Sequence, residues 1–284
     1  MKEEVQMKIR IVADSSADLF TTEDRSIVSV PLRIVTDVKE YVDDEKLDVK
    51  AMTDDLAAYS GRSGSACPGT GDWLDAFGDA DWVFGVAITS HLSGSYNAAR
   101  VAKEQYEEEN PGRRVHIVDS LSAGPELAMI VEKIQECVEK EMDFDAICDT
   151  IEAYAKNVET TFALKSLRNL ANNGRVNPAI AKLAGILGIQ VVGKAENGEL
   201  EQTDKVRGDK KVTAVMFNNM KNMGYKGGKV GINHCLNETA ANNLLKAIKS
   251  EFPEANVKVG CLRGLCSFYA EQGGMIIGFE TERK

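Results

Sequence analysis

The sequence predicts an α/β protein of two domains. The first is a doubly wound, mostly parallel sheet, and the second is an α/β domain with a mixed sheet. Three observations carry this. Strand-like and helix-like segments alternate through the first half, as in βαβ units. Residues 81–88 form a nearly continuous apolar run, the mark of a parallel strand covered on both faces. After Asp143 the pattern changes, and an Asn-Gly pair at Asn197-Gly198 signals a hairpin. A chain of 284 residues also exceeds what one core usually serves. The division is expected near residue 158, giving domains 1–158 and 159–284.

In order, residues 8–13 read as a buried strand closed by the polar turn 14–18, and 27–34 as a second strand. Residues 49–59 have helical spacing, and the Gly/Ser/Pro-rich stretch 61–69 breaks it. A short helix carrying Trp73, Leu74 and Phe77 precedes the 81–88 strand, and a helix runs from Ser93 to about Glu108. Strand 114–119 and helix 125–140 complete the alternation. Another helix reaches about Lys156, followed by a short strand at 160–164. Asn172-Asn173-Gly174 reads as a helix stop, and Asn177-Pro178 as the start of another helix. The hairpin, a helix over 209–223, a strand at 229–233, a helix at 238–250, and strands at 256–260 and 275–280 follow.

Composition excludes several function classes. Lys plus Arg number 34 against 44 Asp plus Glu, a net charge of −10, so phosphate backbones and anionic lipid are repelled. No nucleic-acid partner and no stable membrane insertion are expected. No run of about 18 apolar residues exists. The opening residues are charged, so no signal peptide is expected, and the cytoplasm is the expected compartment. The six cysteines form no Cys-x-x-Cys pair and the histidines number 3, so no metal site is expected and the thiols are expected free. Walker A, G-x-G-x-x-G and H-E-x-x-H motifs are absent.

Four segments could carry chemistry, each with a plainer alternative. Asp14-Ser15-Ser16 ends the first strand, where open α/β sheets place their ligand crevice, or it is a simple Asx turn. Ser65-Ala66-Cys67-Pro68 leads into a helix, where backbone N–H groups and Ser65 could receive an anion, or merely cap the helix. Ser90-His91-Leu92-Ser93-Gly94-Ser95 follows the apolar strand. Ser93 could cap the next helix or aim its hydroxyl at a carboxylate, and Gly94 lets another group approach. A serine nucleophile lacks the G-x-S-x-G elbow and has only His91 nearby. Arg175 and Arg207 suggest an anion or an acidic partner face, or are ordinary surface arginines.

Taken in order, these segments resemble the DegV family. The matching motifs are Asp14-Ser15-Ser16-Ala17-Asp18-Leu19, Ser65-Ala66-Cys67-Pro68, Ser90-His91-Leu92-Ser93-Gly94-Ser95, Gly174-Arg175, and Arg207 before a lysine-bearing helix. The resemblance spans about residues 8–280. It implies a lipid-binding carrier of EDD fold, not an enzyme, that buries one palmitate- or oleate-like fatty acid between its domains without a cofactor. Its carboxyl would be held by Ser65 and Ser93, with Ser15, Ser90, Gly94 and Cys266 around it. It further implies presentation of the carboxylate to a fatty acid kinase, with Arg175 and Arg207 facing that partner or the new phosphate. A serine-dependent acyl hydrolase and a small-anion sensor are the alternatives. The chain departs from the family pattern in two places. Thr-Ser becomes Ser65-Ala66, and Cys266 sits about where many members have a His; Arg263 is new, either a charge at the site or a surface residue.

Overall fold

Period-two burial in one sheet dictates the first half of the architecture. The computed structural model describes residues 7–176 and 188–282. Strands β1 (Ile9–Asp14), β2 (Ile27–Val30), β6 (Trp82–Ala87) and β7 (Arg114–Asp119) form a parallel sheet in the order β2-β1-β6-β7. Ile11, Ala13, Phe84 and Val86 point to one face, onto α4 (Pro125–Glu139) and α5 (Phe144–Ala155). Val12, Val83 and Ala87 point to the other, onto α2 (Thr70–Phe77) and α3 (Ser95–Glu109). Both faces are buried, which is why these strands read as unbroken apolar runs.

The second half builds a six-stranded mixed sheet. Its strands are β8 (Val158–Leu164), β9 (Ile189–Glu196), β10 (Glu199–Arg207), β11 (Val230–His234), β12 (Val257–Cys261) and β13 (Met275–Glu280), ordered β10-β9-β8-β13-β11-β12. Only β11 and β12 pair in parallel. Helices α7 (Asp209–Asn222) and α8 (Glu238–Glu251) bury one face with Met216, Leu244 and Ile277. The start of α4 lies against β13 so closely that a Cβ on Gly278 would stand 2.6 Å from the Glu126 nitrogen. Helix α4 therefore serves both sheets.

Two segments depart from the sequence-based expectation. Residues 27–34 are not one strand. Pro31 lacks an N–H and interrupts the ladder, so the chain leaves β2 and enters β3 (Arg33–Thr36) in a separate antiparallel sheet. That small sheet also holds β4 (Glu40–Val42) and β5 (Ser63–Ala66), in the order β4-β3-β5, beside α1 (Val49–Ala58). Strand β5 falls inside the stretch expected to be a break. Its Ser-Gly-Ser-Ala sequence has little strand propensity, and pairing with β3, Ile34 opposite Ser65, imposes the conformation. Of two short helices, α6 (Arg168–Asn172) ends at the expected stop, and α9 (Gly264–Ala270) carries no sequence periodicity long enough to announce it. The helix expected from Asn177 lies outside the described residues.

Arg263 is not a surface residue. It is 5% exposed and pairs with Asp43, itself 1% exposed, at 3.6 Å. Its Nη2 donates to the Asp43 carbonyl at 2.7 Å, its Nη1 to the Leu19 carbonyl, and its backbone N–H to Asp18 at 2.8 Å. Asp43 in turn accepts the first N–H groups of α9, from Gly264 at 2.8 Å and Leu265 at 2.9 Å. A carboxylate from the small sheet thus caps a helix more than 200 residues later. Removing the guanidinium strands a buried acid. Arg263→Ala is expected to lower unfolding free energy by about 3–5 kcal/mol, measured by urea denaturation.

Candidate functional site

A buried carboxylate sets the loop that begins the site. Asp14, at the end of β1, is fully buried and accepts four hydrogen bonds. Ser16 donates twice, through its hydroxyl and through its N–H at 3.2 Å. The Ile88 N–H donates at 2.9 Å and the Ser95 hydroxyl at 2.7 Å. Burial raises the Asp14 pKa, and these donors oppose the rise. The contacts fix both ends of the 88–95 loop, which presents Ser93 and Gly94. Within it, Leu92 and Ser93 donate their N–H groups to the Thr89 carbonyl, each at 3.2 Å. Ser93 Oγ accepts the first N–H of α3, from Ser95 at 3.3 Å, but the N-cap position itself is Gly94, so Ser93 stands one residue before the cap that the sequence assigned to it.

Loop 88–94, strand β5, helices α6 and α9, and the β9–β10 hairpin surround a cavity of about 330 Å³. Its buried interior is mostly apolar, with Leu32, Ile88, Phe162, Leu164, Leu265 and Ala270, and the buried hydroxyls of Thr89, Ser122 and Thr160 also line it. Its exposed rim includes Cys67, Gly94 and Glu199, with half-buried Ser65 and Ser93 between rim and interior. The volume falls within the ~300–1,000 Å³ of small-molecule sites. A larger cavity of about 470 Å³ lies between α4, β11 and β12. It contains neither the predicted serines and Gly94 nor Arg175, Arg207 or Cys266, although Arg263 lines it, and its Lys229 and Lys258 are paired with Glu132 at 3.5 and 2.5 Å. The hydroxyl-rimmed cavity is therefore the candidate site.

Ser65, Ser93, Gly94, Arg175 and Cys266 all line this cavity, although they come from four separate segments. Arg175 donates through Nε to the Leu92 carbonyl at 3.1 Å and through Nη1 to the Asn173 carbonyl. The turn that presents Arg175 requires Gly174, at φ +69°. Cys266 is a wall residue. Its thiol is buried and donates to the Ser16 carbonyl at 3.4 Å, and burial, with Asp18 next in effect, holds its pKa well above the ordinary thiol value. Ser15, Ser90 and Arg207 are not among the lining residues. Ser15 is fully buried and accepts the Leu32 N–H at 3.0 Å; Ser90 is exposed and donates its N–H to Asp119 at 3.0 Å; Arg207 is exposed at the end of β10.

Sequence reasoning passed over Tyr269, whose hydroxyl lies 2.7 Å from Ser65 Oγ. Thr89, which opens the serine segment, donates its hydroxyl to the Gly198 carbonyl at 3.0 Å and so ties the hairpin tip to the serine loop. No pattern in the sequence joins Ser65 to Tyr269, because they are 204 residues apart and meet only when β5 and α9 are both in place.

The DegV family model, described as "Uncharacterised protein, DegV family", matches residues 8–282. The chain belongs to the DegV family. A DegV domain-containing protein of Streptococcus pneumoniae is 38% identical over 281 residues, 97% of this chain and 100% of that one. The crystal structure of a DegV family protein from Eubacterium eligens, loaded with heptadecanoic acid, superposes with a TM-score of 0.94 at 42% identity, over 96% of this chain and 100% of that one. The Streptococcus pneumoniae Fatty Acid Kinase (Fak) B3 protein, loaded with linoleic acid, superposes with a TM-score of 0.94 at 38% identity, over 97% and 100%. Among the described residues of this DegV chain, no group of three or more His, Cys, Asp or Glu could hold a metal ion, and no helix is long and apolar enough to cross a membrane.

The hairpin tip closes the cavity through Gly198, at φ +84°, where an added Cβ would stand 2.6 Å from Thr89 Oγ and 2.9 Å from the His91 ring. Gly198→Ala adds a clash to a disfavoured backbone conformation. It is expected to cost about 1–3 kcal/mol in thermal unfolding and to raise hydrogen exchange in residues 88–92, while a Gly112→Ala control at φ +95°, with open space around it, leaves that loop unchanged.

Proposed function

We propose that the chain binds one long-chain fatty acid, palmitate- or oleate-like, in this cavity and holds its carboxylate at the hydroxyl rim. One observation carries the reading: Ser65, from strand β5, and Ser93, from the loop after β6, border the same cavity, and that cavity has a mostly apolar interior. Related proteins of known structure loaded with heptadecanoic and linoleic acids support it. A buried acyl tail gains about 0.8 kcal/mol per CH₂, so about 14 methylenes contribute on the order of 11 kcal/mol before association costs. The tail supplies affinity. The head loses hydration and needs donors in place, which Ser65, Ser93 and Arg175 are positioned to give.

In this reading the chain is a carrier in two domains meeting near residue 158, and a partner fatty acid kinase performs the chemistry. Hydroxyl donors leave the carboxylate anionic and nucleophilic, as acyl-phosphate formation requires. The name of the pneumococcal neighbour supports the kinase connection. Arg175 stands at the cavity and exposed Arg207 lies on the same half of the chain, where either could meet a partner or a phosphate. Autonomous acyl hydrolysis has little support. Among the described residues no histidine hydrogen-bonds to Ser93; His91 Nδ1 instead faces Glu199 at 3.7 Å.

Mass spectrometry of an organic extract of the full chain, purified from a bacterial host, should reveal about one fatty acid per protein. After delipidation, palmitate or oleate should raise the melting temperature, and Ser93→Ala should weaken binding about tenfold, the worth of one charge-assisted hydrogen bond. A lipid-free extract together with no thermal shift overturns the reading.

A further inference from the structure

Helix α9 lines the cavity with Leu265, Cys266, Tyr269 and Ala270, of which Cys266 and Tyr269 carry a polar hydrogen. Cys266 occupies the place where the family resemblance leads one to expect a polar, titratable side chain, but its hydrogen is spent on the Ser16 carbonyl and it is 3% exposed. On the facing strand, Ala66 has no hydroxyl to offer. On this side of the cavity, strand β5 and helix α9 meet in a hydrogen bond between hydroxyls, Ser65 Oγ to Tyr269 OH at 2.7 Å. Tyr269 is held rigidly. Its ring packs edge-on to Phe268 with centroids 4.8 Å apart, and it borders three separate apolar clusters, those around Leu164, Ile34 and Ile88. A rigid ring fixes its hydroxyl without further loss of side-chain entropy on binding.

We propose that Tyr269 is a positioning residue for the acid head group: its hydroxyl donates to Ser65 Oγ and thereby turns the Ser65 hydrogen toward the bound carboxylate. The assignment rests on the fatty-acid reading and adds to it the group that selects an ionised acid over a neutral head. A serine hydroxyl has one hydrogen and two lone pairs. Without Tyr269 it is free to rotate and to present a lone pair to the anion. With Tyr269 donating, a lone pair is filled and the hydrogen is left for the ligand. Chains of hydrogen bonds also polarise one another, which strengthens the terminal donor. The relay substitutes, across the two halves, for the hydroxyl absent at Ala66.

The test uses the delipidated full chain, with oleate and its methyl ester as probes in parallel titrations. Tyr269→Phe keeps the ring and its packing. It is expected to weaken oleate about tenfold and the ester by less than about threefold, because charge-assisted hydrogen bonds are about twice as strong as neutral ones. Acting through Ser65, the substitution should be silent for oleate when introduced into Ser65→Ala. Equal losses for acid and ester, an unchanged oleate affinity, or a full tenfold loss in the Ser65→Ala background each overturn the assignment while leaving fatty-acid binding intact. Failure of the unsubstituted protein to bind either probe overturns the fatty-acid reading, and the relay with it.

Discussion

The site depends on one buried ion pair, Asp43 with Arg263. The cavity has no continuous wall in sequence. Part of it comes from the small sheet, part from the loop after β6, and part from α6, α9 and the β9–β10 hairpin. Asp43 holds the small sheet to the start of α9, and Arg263 extends the tie to the carbonyl of Leu19 and the carboxylate of Asp18. Burying these charges is unfavourable unless their hydrogen-bonding capacity is filled. Here each is met by several partners. The arrangement specifies a single relative placement of the two halves more than it adds stability. Asp14 does the same for the serine loop, gathering β1, β6 and the start of α3 on one carboxylate.

That fixed placement is what allows a division of labour inside the cavity. Its mostly apolar interior offers area, and its rim offers neutral donors. Arg175, the one cation bordering it among the described residues, already spends Nε and Nη1 on backbone carbonyls, so it is oriented before any ligand arrives. A proposed carboxylate at this rim would meet oriented dipoles and a guanidinium at the edge, in place of a buried ion pair. Such a head group keeps its charge and its reactivity. The thiol of Cys266 contributes shape alone, since it remains protonated and donates inward.

Much of the fold was legible because its causes are local. The β6 run, the alternation of strands with amphipathic helices and the Asn197-Gly198 turn are patterns of burial and backbone conformation written into consecutive residues. The small sheet was not legible. Strand β5 consists of Ser63, Gly64, Ser65 and Ala66, which favour no strand on their own and adopt one only against β3. Helix α9 is likewise too short for a periodic signal. For the candidate site, residues inside compact motifs, Ser65, Ser93 and Gly94, could be named in advance, whereas Ser90, in the same motif as Ser93, and Ser15, in the Asp14 motif, face elsewhere. Tyr269 and the roles of Asp43 and Arg263 exist only as contacts between distant segments. Sequence position carries no information about them.

The account's central claim is that a carboxyl head lies at the hydroxyl rim, out of bulk water, with its tail inside. Carbon-13 NMR of the full chain loaded with carboxyl-labelled oleate tests this most directly. The account predicts one narrow carboxyl resonance, displaced from that of free oleate and invariant as pH is varied through the range where the free acid titrates, and a shifted resonance in Ser93→Ala. A resonance that titrates like the free acid and ignores Ser93 would contradict it.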